Sequence, residues 1–186
     1  GMSNYKEISE AISILKKNKI TIMHCNSSYP TIPTDVNLNM IKTLKNKYKV
    51  DIGFSDHSLG YDAVIGAVAL GATIIEKHFT FDKKAIGPDH SVSLNFTELK
   101  NMVKSIRNIE QMMGSTKKII NSNELDNIKI VRKSIVAKYQ IKKGEKFTLN
   151  NLTAKRPGTG ISPMKIKNIL GKKSKKNYLK NEIIKL

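Results

Sequence analysis

The chain has 186 residues, 39% of them apolar, enough for a real core in one ordinary domain or in a domain plus a small appendage. No run approaches the ~18 apolar residues of a membrane span, no charged-then-apolar leader opens the chain, and the single cysteine, Cys25, excludes an internal disulfide and fits a reducing cytoplasm. The net charge of +18 first suggests a polyanion partner, but only Arg107, Arg132 and Arg156 of the 33 basic residues are arginine, the side chain suited to bidentate phosphate and guanine contacts, so the charge reads as a solvated lysine coat, not a nucleic-acid surface.

Residues 4–18 are predicted to form an amphipathic helix, with Ile8, Ala11, Ile12 and Leu15 on one stripe and lysines toward the C-terminal end, where they complement the helix dipole. Residues 20–23 read as a short buried strand, followed by a polar loop holding Pro30 and Pro33. A second helix is expected over 36–48, a second strand over 50–54 ending in Ser55-Asp56-His57, a helix of small apolar residues over 61–70, and a third strand over 73–76. A long amphipathic helix over 96–113 ends at Gly114. Strand and helix alternate throughout, which argues for βαβ units and a parallel sheet, with polar residues collected at the C-terminal strand ends, where such sheets build sites. Residues 115–132 read as a linker with a short helix. From 133 onward, short β segments between glycine turns suggest a compact β-rich domain of about 55 residues, small but able to fold.

Two of the four histidines follow strands. Alternation places Ile74, Glu76 and His78 on one face of the third strand, and neighbouring parallel strands would bring His57 and His78 together at the C-terminal rim. Two imidazoles with water or substrate oxygens suit Mn²⁺, Fe²⁺, Co²⁺ or Zn²⁺; the plainer alternative is two polar loop histidines. His24 and Cys25 are adjacent on a strand and so point to opposite faces, which excludes them as a nucleophile–base pair. His90 is uninformative alone, Asp89 would either bind a sugar hydroxyl or cap a turn, and Tyr29-Pro30 is either a turn or a substrate wall.

Six segments then occur in order: His24-Cys25-Asn26-Ser27-Ser28-Tyr29-Pro30-Thr31, Gly53-Phe54-Ser55-Asp56-His57-Ser58-Leu59-Gly60, Gly66-Ala67-Val68-Ala69-Leu70-Gly71-Ala72, Glu76-Lys77-His78-Phe79-Thr80, Gly87-Pro88-Asp89-His90, and Lys155-Arg156-Pro157-Gly158-Thr159-Gly160-Ile161-Ser162-Pro163. Together they resemble the N-acetylneuraminate (sialic acid) synthase family, which includes legionaminic and pseudaminic acid synthases, over essentially the whole chain. The resemblance implies an α/β fold: the C-terminal part of a (β/α)8 TIM barrel over 1–114, the linker over 115–132, and an antifreeze-like SAF domain over 133–186. It implies condensation of phosphoenolpyruvate with an N-acetylmannosamine-type amino sugar. It also implies a divalent metal on His57 and His78, Mn²⁺ foremost with Mg²⁺ or Co²⁺ as alternatives, and Glu76 near it. Tyr29 and Asp89 would hold the sugar, Ser55 and Ser27 would touch phosphoenolpyruvate, and Arg156 would reach the partner's site in a homodimer with exchanged caps.

A complete barrel needs ~250 residues, and the stretch before 115 can supply only its last three strands. The front half, with the lysines that the resemblance expects to grip phosphoenolpyruvate and an acidic residue, is therefore expected to be missing, and the chain alone to be inactive. Three strands taken from a barrel would leave open edges and an uncovered inner face, expected to be lined by Ile, Val and Phe, so the isolated chain is expected to be poorly soluble, oligomeric or partly disordered. The competing readings are a non-catalytic carbohydrate-binding or assembly module and a basic nucleic-acid binder.

Overall fold

The structure is a computed structural model that describes residues 1–185. It contains two compact units, the first spanning Gly1–Thr116 and the second beginning at Lys117. In the first, α1 (Tyr5–Leu15), β1 (Thr21–Cys25), α2 (Met40–Tyr48), β2 (Asp51–Asp56), α3 (Asp62–Ala69), β3 (Ile74–Lys77) and α4 (Phe96–Met113) follow one another along the chain.

Local chemistry sets the helix limits. Asn4 and Glu7 form a capping box at the start of α1, the Asn4 side chain accepting from the Lys6 and Glu7 amides while Glu7 accepts from the Asn4 amide. The helix stops at Leu15, where the Asn18 amide turns back to the Leu15 carbonyl, so the expected lysines at its C-terminal end, Lys16 and Lys17, lie beyond the last turn. Leu15 is exposed; Ile8 and Ile12 are the half-buried part of the expected stripe. Helix α2 begins at Met40, not 36, because Pro33–Asp35 forms a 3-10 turn and Asn37 adopts a left-handed φ of 50°, a conformation asparagine tolerates but an α-helix does not contain. Helix α4 follows the expected span, with a capping box from Asn95 and Glu98 at one end and Gly114 at a φ of 50° at the other.

The three strands form one parallel sheet in the order β1-β2-β3, as the alternating pattern predicted. Ile52 and Phe54 belong to a core with Ile41, Leu44, Val64, Ala67, Leu94, Met102 and Ile106. The other face carries Met23, Cys25, Gly53, Ser55, Ile74 and Glu76, by register and alternation. Ile74 is 48% exposed there. The expectation of an open face lined by Ile, Val and Phe is thus corrected: Ile74 is on it, but alternation puts Phe54 with Ile52 on the covered side, and Val50 precedes the strand and packs on the same core. Gly53 sits at a close approach, since a Cβ there would lie 2.2 Å from the Met23 sulfur, which would have to move, and 3.0 Å from the Ile74 carbonyl oxygen.

In the second unit, a 3-10 turn (Ser122–Glu124) leads into α5 (Leu125–Val131), and β4 (Ser134–Ala137) pairs antiparallel with β5 (Leu152–Lys155). Isolated bridges add Val136 to Ile183, Ile141 to Tyr178 and Lys146 to Lys173. Ile135, Ala137, Ile141, Phe147, Leu152, Ile169, Tyr178 and Ile184 form its core, with Phe147 and Tyr178 edge to face at 6.0 Å. Backbone bonds tie α5 into this unit: the Gly158 amide donates to the Lys129 carbonyl at 2.7 Å.

Candidate functional site

Strand β2 ends at Asp56 and β3 at Lys77, and each is followed at once by a histidine. Register pairs Asp56 with Lys77, so His57 and His78 leave the sheet side by side. Their ring centroids are 5.2 Å apart at an interplanar angle of 84°. Tyr29, from the loop after β1, completes a three-ring cluster, 5.2 Å from His57 and 4.3 Å from His78.

Backbone and side-chain contacts orient each ring. His57 Nδ1 lies 2.7 Å from the Asn26 carbonyl oxygen. A carbonyl can only accept, so Nδ1 carries the proton and the lone pair sits on Nε2. A second hydrogen bond of this kind is the usual way a metal-binding imidazole is fixed in tautomer and direction. His78 Nδ1 is 3.6 Å from an Asp89 carboxylate oxygen, with both side chains part exposed. The Tyr29 hydroxyl is 3.4 Å from Ser93 Oγ, and Ser93 Oγ donates to the Asp89 carbonyl at 2.7 Å, so the Asp89 loop is tied to the aromatic cluster. Among the described residues no group of three or more His, Cys, Asp or Glu side chains converges on one point. What the chain itself offers at this end of the sheet is thus two adjacent imidazoles and, among the described residues, no third protein ligand.

The other expected residues fall in three places. Ser55 and Glu76 are register partners on the open face, and the buried Ser55 hydroxyl donates to the Glu76 carboxylate at 2.6 Å. Ser27 is exposed and lines a separate open cavity with Met2, His24, Cys25 and Asn26. Arg156 belongs to the second unit, where its Nε donates to the Val131 carbonyl at 2.9 Å. His24 and Cys25 do point to opposite faces: His24 stacks on Phe54 and bonds the Val36 carbonyl, whereas Cys25 Sγ is 3.9 Å from His57 Nδ1. His90 is engaged with the Thr80 hydroxyl at 2.7 Å.

Sequence reasoning did not single out the ion pair beneath the histidines. Lys77 Nζ donates to Asp56 Oδ2 at 2.8 Å, and the two side chains are 2% and 1% exposed. The signal was present, since an acid and a lysine occupy core-facing positions of adjacent strands, in phase with Phe54 and Ile75. The Asn26 carbonyl, a main-chain group, left no signal at all.

Comparison with known proteins gives the family. The NeuB family model matches residues 1–118 and the SAF domain model residues 132–186. The chain is 48% identical over 190 aligned positions to the N,N'-diacetyllegionaminic acid synthase of Campylobacter jejuni, covering all of this chain and 57% of that protein. It is 37% identical over 174 positions to the N-acetylneuraminate-9-phosphate synthase of Homo sapiens, covering 92% of this chain and 48% of that one. A crystal structure of the N-acetylneuraminic acid synthetase of Leptospira borgpetersenii, solved with citrate, superposes with a TM-score of 0.62 at 42% identity, over 69% of this chain and 46% of that one. The chain thus spans about half the length of the relatives it matches. With most of its length matched by the family model and its second unit by the SAF domain, this chain belongs to the NeuB family of sialic, legionaminic and pseudaminic acid synthases.

Proposed function

We propose that the chain is the C-terminal half of a nonulosonic acid synthase, which joins phosphoenolpyruvate to an N-acetylmannosamine-type amino sugar and releases phosphate. The observation that carries this reading is the cluster of His57, His78 and Tyr29 at the C-terminal ends of parallel strands, the end at which barrel enzymes assemble their sites. A divalent ion held by His57 and His78, Mn²⁺ foremost, would supply Lewis acidity toward the sugar aldehyde oxygen.

The chain's own residues do the remaining work of holding. The Asn26 carbonyl keeps the His57 proton on Nδ1. Tyr29 forms an apolar wall against both imidazoles, and its hydroxyl, with the half-exposed Asp89 carboxylate, offers hydrogen-bond partners for sugar hydroxyls. Glu76 fixes the Ser55 hydroxyl, leaving the oxygen's lone pairs for a donor on the open face. In the complete enzyme, a homodimer with exchanged caps, Arg156 presents its guanidinium to the N-acetyl end of the sugar in the partner's site. Lysines from the front half neutralise phosphoenolpyruvate.

Supplying that front half is the test. The chain is mixed or fused with the N-terminal half of the Campylobacter jejuni relative, and phosphate release is followed with phosphoenolpyruvate, an N-acetylated amino sugar and Mn²⁺. Release is expected from the combination, not from the chain alone, and its loss is expected on His57→Ala. Release that persists in His57→Ala would overturn the assignment of the site.

A further inference from the structure

The two residues preceding the site histidines are themselves paired, on the side of the sheet away from the open face. Asp56 and Lys77 are register partners at the last rung of β2 and β3, and their charged ends meet at 2.8 Å, buried, on the same face as Phe54 and Ile75. Each also reaches the chain just past His57. Asp56 Oδ1 accepts from the Ser58 amide at 2.8 Å, and Lys77 Nζ donates to the Ser58 carbonyl. Ser58 is 7% exposed, so water does not readily replace either partner. His57 is thus bracketed, with Asp56 on one side and Ser58 on the other, and Lys77 grips both brackets while being covalently joined to His78.

We propose that the Asp56–Lys77 pair is a positioning device that sets the His57–His78 spacing. The inference rests on the reading of those histidines as ion ligands, but it is a statement about geometry. A carboxylate and an ammonium buried at this depth are costly to desolvate, and an apolar pair would serve packing as well or better. An apolar pair would not hold the Ser58 amide and carbonyl. The groups that the charges add, beyond what packing needs, are those that fix the His57 turn against the end of β3. Groups that hydrogen-bond a metal ligand directly are typically worth about 10- to 100-fold in metal affinity, and this pair acts one residue away, through the Ser58 main chain.

The variant that separates packing from positioning is Asp56→Val/Lys77→Met, which fills the layer with apolar atoms and removes both grips on Ser58. Histidine- and tyrosine-labelled protein is examined by NMR, with amide and methyl signals of Ile52 and Val64 reporting the fold. Nuclear Overhauser contacts among His57, His78 and Tyr29 are expected in the wild-type chain, lost in the folded double variant, and retained in Lys77→Arg, which keeps the charge and donors. Mn²⁺ affinity is expected to fall by about 10-fold in the double variant, the lower end of the range for direct contacts to a ligand. Ring contacts of wild-type intensity in a folded double variant would overturn the proposal, and so would an unfolded double variant, which would make the pair a brace for the sheet. Failure of the wild-type chain to bind Mn²⁺, with ring contacts that still depend on the pair, would instead count against the proposed function alone.

Discussion

Removing one member of the Asp56–Lys77 pair should be far more damaging than removing both. In Lys77→Met the Asp56 carboxylate stays 1% exposed, keeps the Ser58 amide as a donor, and loses the cation 2.8 Å away. Breaking a buried pair from one side typically costs about 3–5 kcal/mol, because a charge is left uncompensated. A unit of the size of Gly1–Thr116 is expected to have a stability of about 6–17 kcal/mol at the usual per-residue value, so the loss is a large share of the whole. Urea unfolding followed at the amide signals of β2 gives the assay. With a slope of about 2 kcal/mol per molar, the midpoint should fall by roughly 2 M in Lys77→Met. The Asp56→Val/Lys77→Met double variant should recover most of that shift, because no unpaired charge remains. A Lys77→Met shift of less than about 1 kcal/mol, the size expected of an exposed pair, would refute the claim that these charges are desolvated.

Phe147, 1% exposed and set against Tyr178, anchors the second unit; Phe147→Ala should cost about 3–5 kcal/mol, read as a lowered urea midpoint at the signals of Ile135 and Ile184. An effect below about 1 kcal/mol would contradict the described core. Glu98 is held below the ordinary carboxylate range, chiefly by the Asn95 amide and then by Lys83. Its folded value is depressed, so its stabilising contribution is present above the unfolded value and disappears as pH falls through the folded one. Glu98→Gln should therefore flatten the acid limb of the stability curve below about pH 4.5 while leaving its shape near neutrality unchanged, a small effect because the side chain is part exposed.

Much of this arrangement was legible in the sequence because it follows from period and punctuation. The parallel order of three strands, the span of α4 between Asn95 and Gly114, and the exit of His57 and His78 at one end of the sheet need only alternation and capping. What escaped depends on tertiary geometry. Strand β2 runs on through Ser55 and Asp56, which look like loop residues because they are polar; Ser55 is satisfied by Glu76, and Asp56 by Lys77 and Ser58. Helix α2 starts later than its periodicity predicts, because periodicity cannot detect the positive φ of Asn37. The tautomer of His57 depends on the Asn26 carbonyl, and a main-chain acceptor is the same in every residue type.

His57 and His78 are proposed to hold one divalent ion together, and titration of the chain with Mn²⁺, followed by water-proton relaxation, is the decisive experiment. One ion per chain is expected, with binding abolished in His57→Ala and in His78→Ala and retained in His24→Ala, whose ring is spent on the Val36 carbonyl and Phe54. Absence of binding, or binding of equal strength in the His57 and His78 variants, would contradict it.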